Sequence, residues 1–182
     1  LLQLYGIALA KPAQIPKNLD RFVQQTMQSF QVPGLAIAIV KDGQVVLSKG
    51  YGVKKLAAAE PVSGHTLFGI ASNTKAFTAT ALAILVDQGK AKWDAAVIDY
   101  LPWFRMYDPY VTRELTLRDL LVHRSGLGLG AGDLLWWPAT SYSRKEIVER
   151  IKYLKPATSF RSAYAYDNVL YSVAGEVVES LS

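Results

Sequence analysis

Residues 68–86 read FGIASNTKAFTATALAILV, with Ser72 and Lys75 at the head of a long apolar run. From Ala76 to Val86 every residue is apolar or a threonine, which predicts a helix that is buried on every face. Lys75 stands at the start of this helix, where burial of an unpaired ammonium group would be costly. Because residues three apart share a helix face, the Lys75 amine can reach the Ser72 hydroxyl. The pair therefore predicts an activated serine, and the alternative is a capping serine beside a lysine that extends to solvent.

A second polar group, Tyr166-Asp167-Asn168, is the only Tyr-x-Asn in the chain and stands where the last helix is predicted to begin. A neighbouring lysine stabilises a phenolate, so Tyr166 is expected to move a proton between Ser72 and a leaving group. An amide such as Asn168 can accept a hydrogen bond from Lys75 and donate one to a substrate carbonyl. The alternative is an aromatic residue and an Asx cap that together start a helix.

These two groups resemble the first two motifs of the serine β-lactamase-related family, which includes class C β-lactamases, DD-peptidases and family VIII esterases. Further stretches that resemble the family are residues 32–43, 68–72, 117–127 and 170–179. The resemblance covers most of residues 30–180. It implies that Ser72 attacks a carbonyl carbon, that an acyl-serine forms, and that Lys75 and Tyr166 handle the protons. It also implies that the Ser72 backbone N–H is half of the oxyanion hole.

The resemblance implies an α/β (α+β) fold, with an antiparallel sheet flanked by helices, a helical domain, and the site between them. Residues 18–60 would supply the first helix, capped by Asn18, and a β-hairpin whose turn is Asp42-Gly43. Residues 61–182 would supply the mostly helical part that carries both motifs. Helices are further predicted over residues 117–123, over residues 144–154 after a capping box at Ser143, and from Asp167 to the end.

The family's third motif, Lys-Thr-Gly or His-x-Gly on a later strand, does not follow Asn168 in this sequence. Nor are strands predicted that would complete the sheet, and one hairpin does not form a stable sheet alone. We therefore expect an N-terminal portion of the fold that is inactive or nearly so by itself. A second chain that supplies the C-terminal half is one partner that would complete it.

Three acyl substrates stay open within the enzyme interpretation: a β-lactam, a cell-wall D-Ala peptide and a small ester. An esterase or a class C-like β-lactamase is favoured. Trp136-Trp137 could line the pocket for the acyl group, or could close a small satellite core. The rival interpretation is a non-catalytic sensor that binds penicillin or peptide, becomes acylated at Ser72 and does not deacylate.

Composition argues against other chemistries. The chain has no cysteine and two histidines, so neither a thiolate nor a zinc site is expected, and no cofactor is implied. Of the histidines, His123 is expected to hold the adjacent glycine-rich loop rather than to act as a base. The net charge is +5, but Lys and Arg are scattered singly, which argues against nucleic-acid binding.

The hydropathy pattern bears on location. No apolar run reaches the length of about 18 residues that a membrane span needs. Residues 1–10, LLQLYGIALA, resemble the tail of a signal peptide that ends in a small-x-small cleavage site. A periplasmic or secreted location is therefore expected. The alternative is a cytoplasmic protein in which these residues are an ordinary N-terminal segment.

Overall fold

The computed structural model describes residues 15–182, which divide into two compact units, residues 15–69 and residues 70–182. The signal-peptide remnant predicted at residues 1–10 lies outside the described residues. Between residues 15 and 182, no helix is both long enough and apolar enough to cross a membrane.

The first unit consists of one helix and one β-hairpin. Helix α1 spans Leu19–Ser29, and the antiparallel strands β1 and β2 span Gly34–Lys41 and Gln44–Gly52. The predicted hairpin turn is confirmed, because Asp42 and Gly43 both have a positive φ, 51° and 75°, as a type I′ turn requires. The Asp20 carboxylate of α1 accepts hydrogen bonds from Lys49 Nζ at 2.8 Å and Tyr51 Oη at 2.7 Å, which ties α1 to β2.

The second unit is built from helices and turns. Its helices are α2 (Thr74–Asp87), α3 (Val97–Tyr100), α4 (Pro109–Glu114), α5 (Arg144–Arg150) and α6 (Val169–Leu181), with 3₁₀ turns at Ala71–Asn73, Asp133–Leu135 and Ile151–Tyr153. α2, α3 and α5 all pack against α6. Its fully buried core side chains include Leu82, Phe104, Leu120, Leu170 and Val173. Because α6 lies at the centre of this packing, the residues at its start are placed by several elements at once.

The helix predicted after Ser143 is confirmed, together with its capping box. Ser143 Oγ accepts a hydrogen bond from the Glu146 N–H at 3.3 Å, and the Glu146 carboxylate accepts one from the Ser143 N–H at 2.8 Å. These reciprocal bonds satisfy two N–H groups that the first turn of α5 would otherwise leave without partners.

α2 was predicted to be buried on every face, and residues 15–182 cover one side of it. Leu82 and Leu85 are 0% and 5% exposed, whereas Phe77 and Ile84 are 68% and 51% exposed. The buried side chains belong to the core that α2 shares with α6, so only one side of the helix meets that core. An apolar sequence on all faces therefore did not identify which face is covered.

The prediction of a helix over residues 117–123 is wrong, because this segment forms successive turns. The Leu121 carbonyl accepts a hydrogen bond from Tyr171 Oη of α6 at 3.0 Å. His123 then adopts a φ of 57°, in the left-handed region, which no regular helix continues. Contacts with α6 thus outweigh the local helix preference of this segment.

Candidate active site

Ser72 lies in the 3₁₀ turn that leads into α2, and its side chain is exposed. The turn is closed by the Asn73 side chain, whose Nδ2 donates to the Ile70 carbonyl at 2.9 Å. Ala71, directly before the serine, has a φ of 45°, which is unusual for a residue with a Cβ. Local strain of this kind is concentrated at functional sites. The arrangement presents the Ser72 hydroxyl at the positive end of the α2 dipole.

Two proton-carrying side chains meet at the Ser72 hydroxyl. Tyr166 Oη lies 2.6 Å from Ser72 Oγ and is hydrogen-bonded to it, and Lys75 Nζ donates to the same oxygen at 3.1 Å. Lys75 comes from the first turn of α2, whereas Tyr166 comes from the segment before α6. The three residues predicted as catalytic are therefore brought together in one site within the second unit.

The surroundings of Tyr166 favour its ionised form. The Lys75 ammonium group and the Ser72 hydroxyl hold the pKa of Tyr166 below its usual value, against the opposing effect of partial burial. Lys75 Nζ also lies 4.7 Å from the centre of the Tyr166 ring and 5.2 Å from that of Tyr171. A phenolate next to a cation is the form that can accept a proton from a serine.

The Asn168 amide connects Lys75 to a residue that the sequence analysis missed. Lys75 Nζ donates to Asn168 Oδ1 at 2.6 Å, and Asn168 Nδ2 lies 3.1 Å from both carboxylate oxygens of Asp133. The carboxylate thus fixes the amide with its oxygen toward the lysine. The predicted donation from Asn168 to a substrate carbonyl would have to use the second N–H of the amide.

Glycines bring Asp133 close to the start of α6. Gly130 and Gly132 have positive φ values of 68° and 83°. A Cβ on Gly132 would lie 2.9 Å from Leu154 Cδ1 and 3.2 Å from Val169 Cγ2, so only glycine fits there without displacing its neighbours. Glycines just before an aspartate were the available signal for Asp133, although the sequence alone does not reveal what such a loop approaches.

The middle residue of the Tyr-x-Asn group is directed into the fold. Asp167 is fully buried, and burial raises the pKa of its carboxyl group against the lowering effect of Ser125. Asp167 Oδ2 accepts a hydrogen bond from Ser125 Oγ at 3.1 Å, while Oδ1 has no hydrogen-bond partner among residues 15–182. Ser125 Oγ in turn accepts the Leu127 N–H at 3.1 Å, so this aspartate anchors the loop that follows His123.

A cavity of about 600 Å³ adjoins the serine. Its lining includes Ser72, Lys75, Asn168, Tyr171, Trp136 and Trp137. Trp136 and Trp137 are 38% and 69% exposed. Arg144 also lines the cavity, where Glu176 and Glu179 pair with its guanidinium group.

The family model described as Beta-lactamase matches residues 19–182 of this chain. The chain belongs to the beta-lactamase family. The predicted membership of this family is therefore confirmed, and the roles assigned above to individual residues stay predictions.

Individual relatives agree with this family. The chain is 34% identical over 177 residues to the unguisins hydrolase ungD' of Aspergillus campestris (strain IBT 28561). The matched region covers 92% of this chain and 32% of that protein. It is similar to the octameric penicillin-binding protein homologue from Pyrococcus abyssi, at a TM-score of 0.75 and 27% identity over 90% of this chain and 38% of the other. A class C beta-lactamase in complex with cefoxitin matches with a TM-score of 0.74 and 25% identity, over 91% and 44% of the two chains.

These matches define how much of the fold the chain contains. The chain spans about a third of the length of the curated relatives it matches and under half of the solved chains. The predicted β-lactamase-like fold is confirmed for that part, with its helices and small antiparallel sheet.

Proposed function

We propose that this chain carries the nucleophile and the proton-transfer groups of a serine hydrolase that works through an acyl-enzyme. The observation that carries the proposal is that Ser72 Oγ lies 2.6 Å from Tyr166 Oη and 3.1 Å from Lys75 Nζ. A serine hydroxyl is a weak nucleophile unless a base takes its proton, and both side chains lie within reach of that proton.

Tyr166 is the base in this proposal, and Lys75 is the cation that supports it. The contacts of Lys75 suit an ammonium group, because it donates to Ser72 Oγ and Asn168 Oδ1 and lies against two tyrosine rings. The pKa of Tyr166 is lowered, chiefly by Lys75, which increases the fraction of phenolate at neutral pH. A general base works best when its pKa lies near the working pH.

The reaction then proceeds in two halves. The Tyr166 phenolate takes the Ser72 proton while Ser72 Oγ bonds to the carbonyl carbon, and the negative charge moves to the carbonyl oxygen. As that intermediate collapses, the carbon–leaving group bond breaks and Tyr166 gives its proton to the leaving group. Water repeats the sequence on the acyl-serine, with its proton passing to Tyr166 and on to Ser72 Oγ as the ester bond breaks. The position of Ser72 at the start of α2 supports its backbone N–H as an oxyanion donor.

The cavity beside Ser72 supports an acyl group with apolar or aromatic character. Trp136 and Trp137 provide most of its aromatic lining, and such surfaces favour apolar ligands. Simple aryl esters and β-lactams both fit this description, so an esterase or a class C-like β-lactamase is the finer proposal. The related class C beta-lactamase with bound cefoxitin is one support for the second of these activities.

Intact mass spectrometry of the natural protein before and after exposure to a fluorophosphonate tests the nucleophile. We expect one adduct, which Ser72→Ala removes and Ser180→Ala retains. Ser180 is a matched control, because it lies in α6 with its Oγ bonded to the Val177 carbonyl of the same helix. An adduct that persists in Ser72→Ala would contradict the proposal.

Turnover separates the enzyme from the sensor. A chromogenic cephalosporin and a short p-nitrophenyl ester would be offered to the same protein, and the better substrate ranks β-lactamase against esterase. Multiple turnovers that depend on Ser72 are expected. A single stoichiometric burst with a stable adduct would instead indicate a protein that binds its ligand covalently and does not hydrolyse it.

A further inference from the structure

His123, which has no part in the proposed reaction, contacts the ring of Tyr166. The two ring centres are 4.5 Å apart, with an angle of 34° between the ring planes. The His123 ring also lies 5.6 Å from the Tyr171 ring, and it meets the Tyr164 ring edge-on at 5.7 Å. Tyr166 is partly buried, and His123 is one of the residues that contact its ring.

The same histidine binds the backbone on both sides of Tyr166. The His123 carbonyl accepts the Ala165 N–H at 3.0 Å, and His123 Nδ1 accepts the Asp167 N–H at 3.3 Å. The Tyr166 carbonyl itself accepts the Gly130 N–H at 3.0 Å. From the sequence, His123 was expected to hold the adjacent glycine-rich loop. In the structure its ring nitrogen instead accepts the N–H of Asp167, the residue after Tyr166.

The conformation of His123 makes this double contact possible. Its φ is 57°, a region where histidine, asparagine and aspartate are enriched among residues other than glycine. In this conformation its carbonyl and its ring nitrogen both reach the segment before α6. Because the Asp167 N–H donates to Nδ1, the proton of the neutral ring lies on Nε2.

We propose that His123 is a positioning residue for Tyr166, which sets the distance between Tyr166 Oη and Ser72 Oγ through the ring contact and the two flanking hydrogen bonds. The inference rests on the proposed function, in which Tyr166 is the base. Proton transfer needs heavy atoms about 2.6–3.2 Å apart, and a displacement of 1 Å can lower a rate by about a hundredfold. A residue that fixes this distance therefore acts on the chemical step rather than on substrate binding.

Two substitutions of His123 test the proposal, one that removes the side-chain acceptor and one that keeps an acceptor. His123→Ala removes both the ring contact and the Nδ1 acceptor, and we expect kcat to fall by about tenfold to a hundredfold with little change in KM. His123→Asn keeps a side-chain acceptor and tolerates a positive φ, and it should recover a large part of kcat. His65→Ala is the matched control, because His65 is an exposed histidine of the first unit.

A double-mutant cycle shows whether the effect passes through Tyr166. The rate of fluorophosphonate labelling would be measured for the natural protein, His123→Ala, Tyr166→Phe and the double variant. We expect His123→Ala to slow labelling in the presence of Tyr166 and to have almost no further effect once Tyr166 is phenylalanine. Equal slowing in both backgrounds, or a His123→Asn variant as slow as His123→Ala, would overturn the proposal.

Ultraviolet titration of the tyrosines provides a second measurement that does not depend on turnover. The difference between the natural protein and Tyr166→Phe isolates the ionisation of Tyr166, and the same difference is taken in the His123→Asn and His123→Ala backgrounds. We expect this ionisation to move to higher pH in His123→Ala, since the phenolate is displaced from its partners. An unmoved titration would overturn the proposal, whereas retained labelling in Ser72→Ala would instead contradict the proposed function.

Discussion

The starts of α2 and α6 both present residues of the candidate site, but they are held in place by different kinds of contact. At α2, Ser72 and Lys75 are three residues apart in one turn, and Asn73 closes that turn on Ile70. At α6, the segment around Tyr166 is held by residues 123, 130 and 133, which lie 35 to 44 positions earlier in the chain. Changes at α2 should therefore remove reacting groups, whereas changes in residues 123–133 should displace the base and leave the nucleophile in place.

The largest effect is expected at α2, from Lys75→Ala. This change removes the cation that chiefly lowers the pKa of Tyr166, so that pKa should rise toward about 10, the value of a free tyrosine. Because the phenolate is the active form, the rise of kcat with pH should move to higher pH. At neutral pH the rate should fall, and by no more than the factor of about 10²–10⁴ that a general base usually contributes, because Tyr166 itself is retained.

A pH–rate profile on a p-nitrophenyl ester measures both effects of Lys75→Ala. Lys152→Ala is the control, since Lys152 is an exposed lysine near the end of α5. A Lys75→Ala profile that keeps its midpoint while losing rate would show that Tyr166 does not depend on Lys75 for its ionisation.

The next largest effect is expected at the start of α6, from Asp133→Ala. Without the carboxylate, the Asn168 amide loses the acceptor that holds its nitrogen away from Lys75, and the ammonium group loses its 2.6 Å acceptor in part of the population. We expect kcat to fall by about tenfold to a hundredfold. Asp133→Asn retains an acceptor for the Asn168 N–H and should lose less activity.

Steady-state kinetics of the two Asp133 variants, compared with fluorophosphonate labelling, check this prediction. If both variants act like the natural protein, Asn168 needs no carboxylate to orient it. The comparison between the two helix starts would then rest on the contacts of His123 and Gly130.

A smaller effect on activity and a measurable effect on stability are expected from Gly132→Ala. The φ of 83° and the 2.9 Å approach to Leu154 leave no room for a methyl group, and overpacking of this kind typically costs about 1–3 kcal/mol. Gly128→Ala in the same loop is the control, because its new methyl would meet only the Ala157 methyl, at 3.3 Å. Urea unfolding of both variants gives the comparison, and equal losses of stability would contradict it.

The features that could be predicted from the sequence are the local ones. The Asp42-Gly43 turn and the Ser143 capping box depend on residues within a few positions of each other, and both are present. The proximity of Ser72 and Lys75 follows from the period of one helix turn. Each of these features is decided by backbone geometry that does not depend on the rest of the fold.

The features that could not be predicted are those decided by distant contacts. No period in the sequence relates Asp133 to Asn168, so the carboxylate behind the amide was missed. The prediction of a helix at 117–123 was wrong for the same reason, since Tyr171 of α6 donates a hydrogen bond to a carbonyl of that segment. That Tyr166 meets Ser72 was expected only from the family resemblance, because 94 residues separate the two.

The smallest effect on activity is expected from Asp119→Asn, which lies outside the site but supports the segment that leads to His123. The Asp119 carboxylate is buried and accepts hydrogen bonds from Arg161 Nε at 3.0 Å and from the Thr116 N–H at 2.9 Å. Burial alone would raise the pKa of Asp119, but Arg161 and Thr116 outweigh it and hold that pKa below its usual value. Loss of one partner from such a network typically costs about 1–3 kcal/mol.

The pH dependence of this loss follows from the direction of the shift. A carboxyl whose pKa is lowered by folding stabilises the fold fully above its unfolded pKa, about 3.9, and loses that contribution as pH falls through the folded value. The difference in unfolding free energy between the natural protein and Asp119→Asn should therefore be largest near neutral pH and shrink below pH of about 4. Urea unfolding at several pH values measures it. A difference that stays constant down to acid pH would show that the carboxylate charge at Asp119 contributes nothing, and that the hydrogen bonds alone hold this segment beside α6.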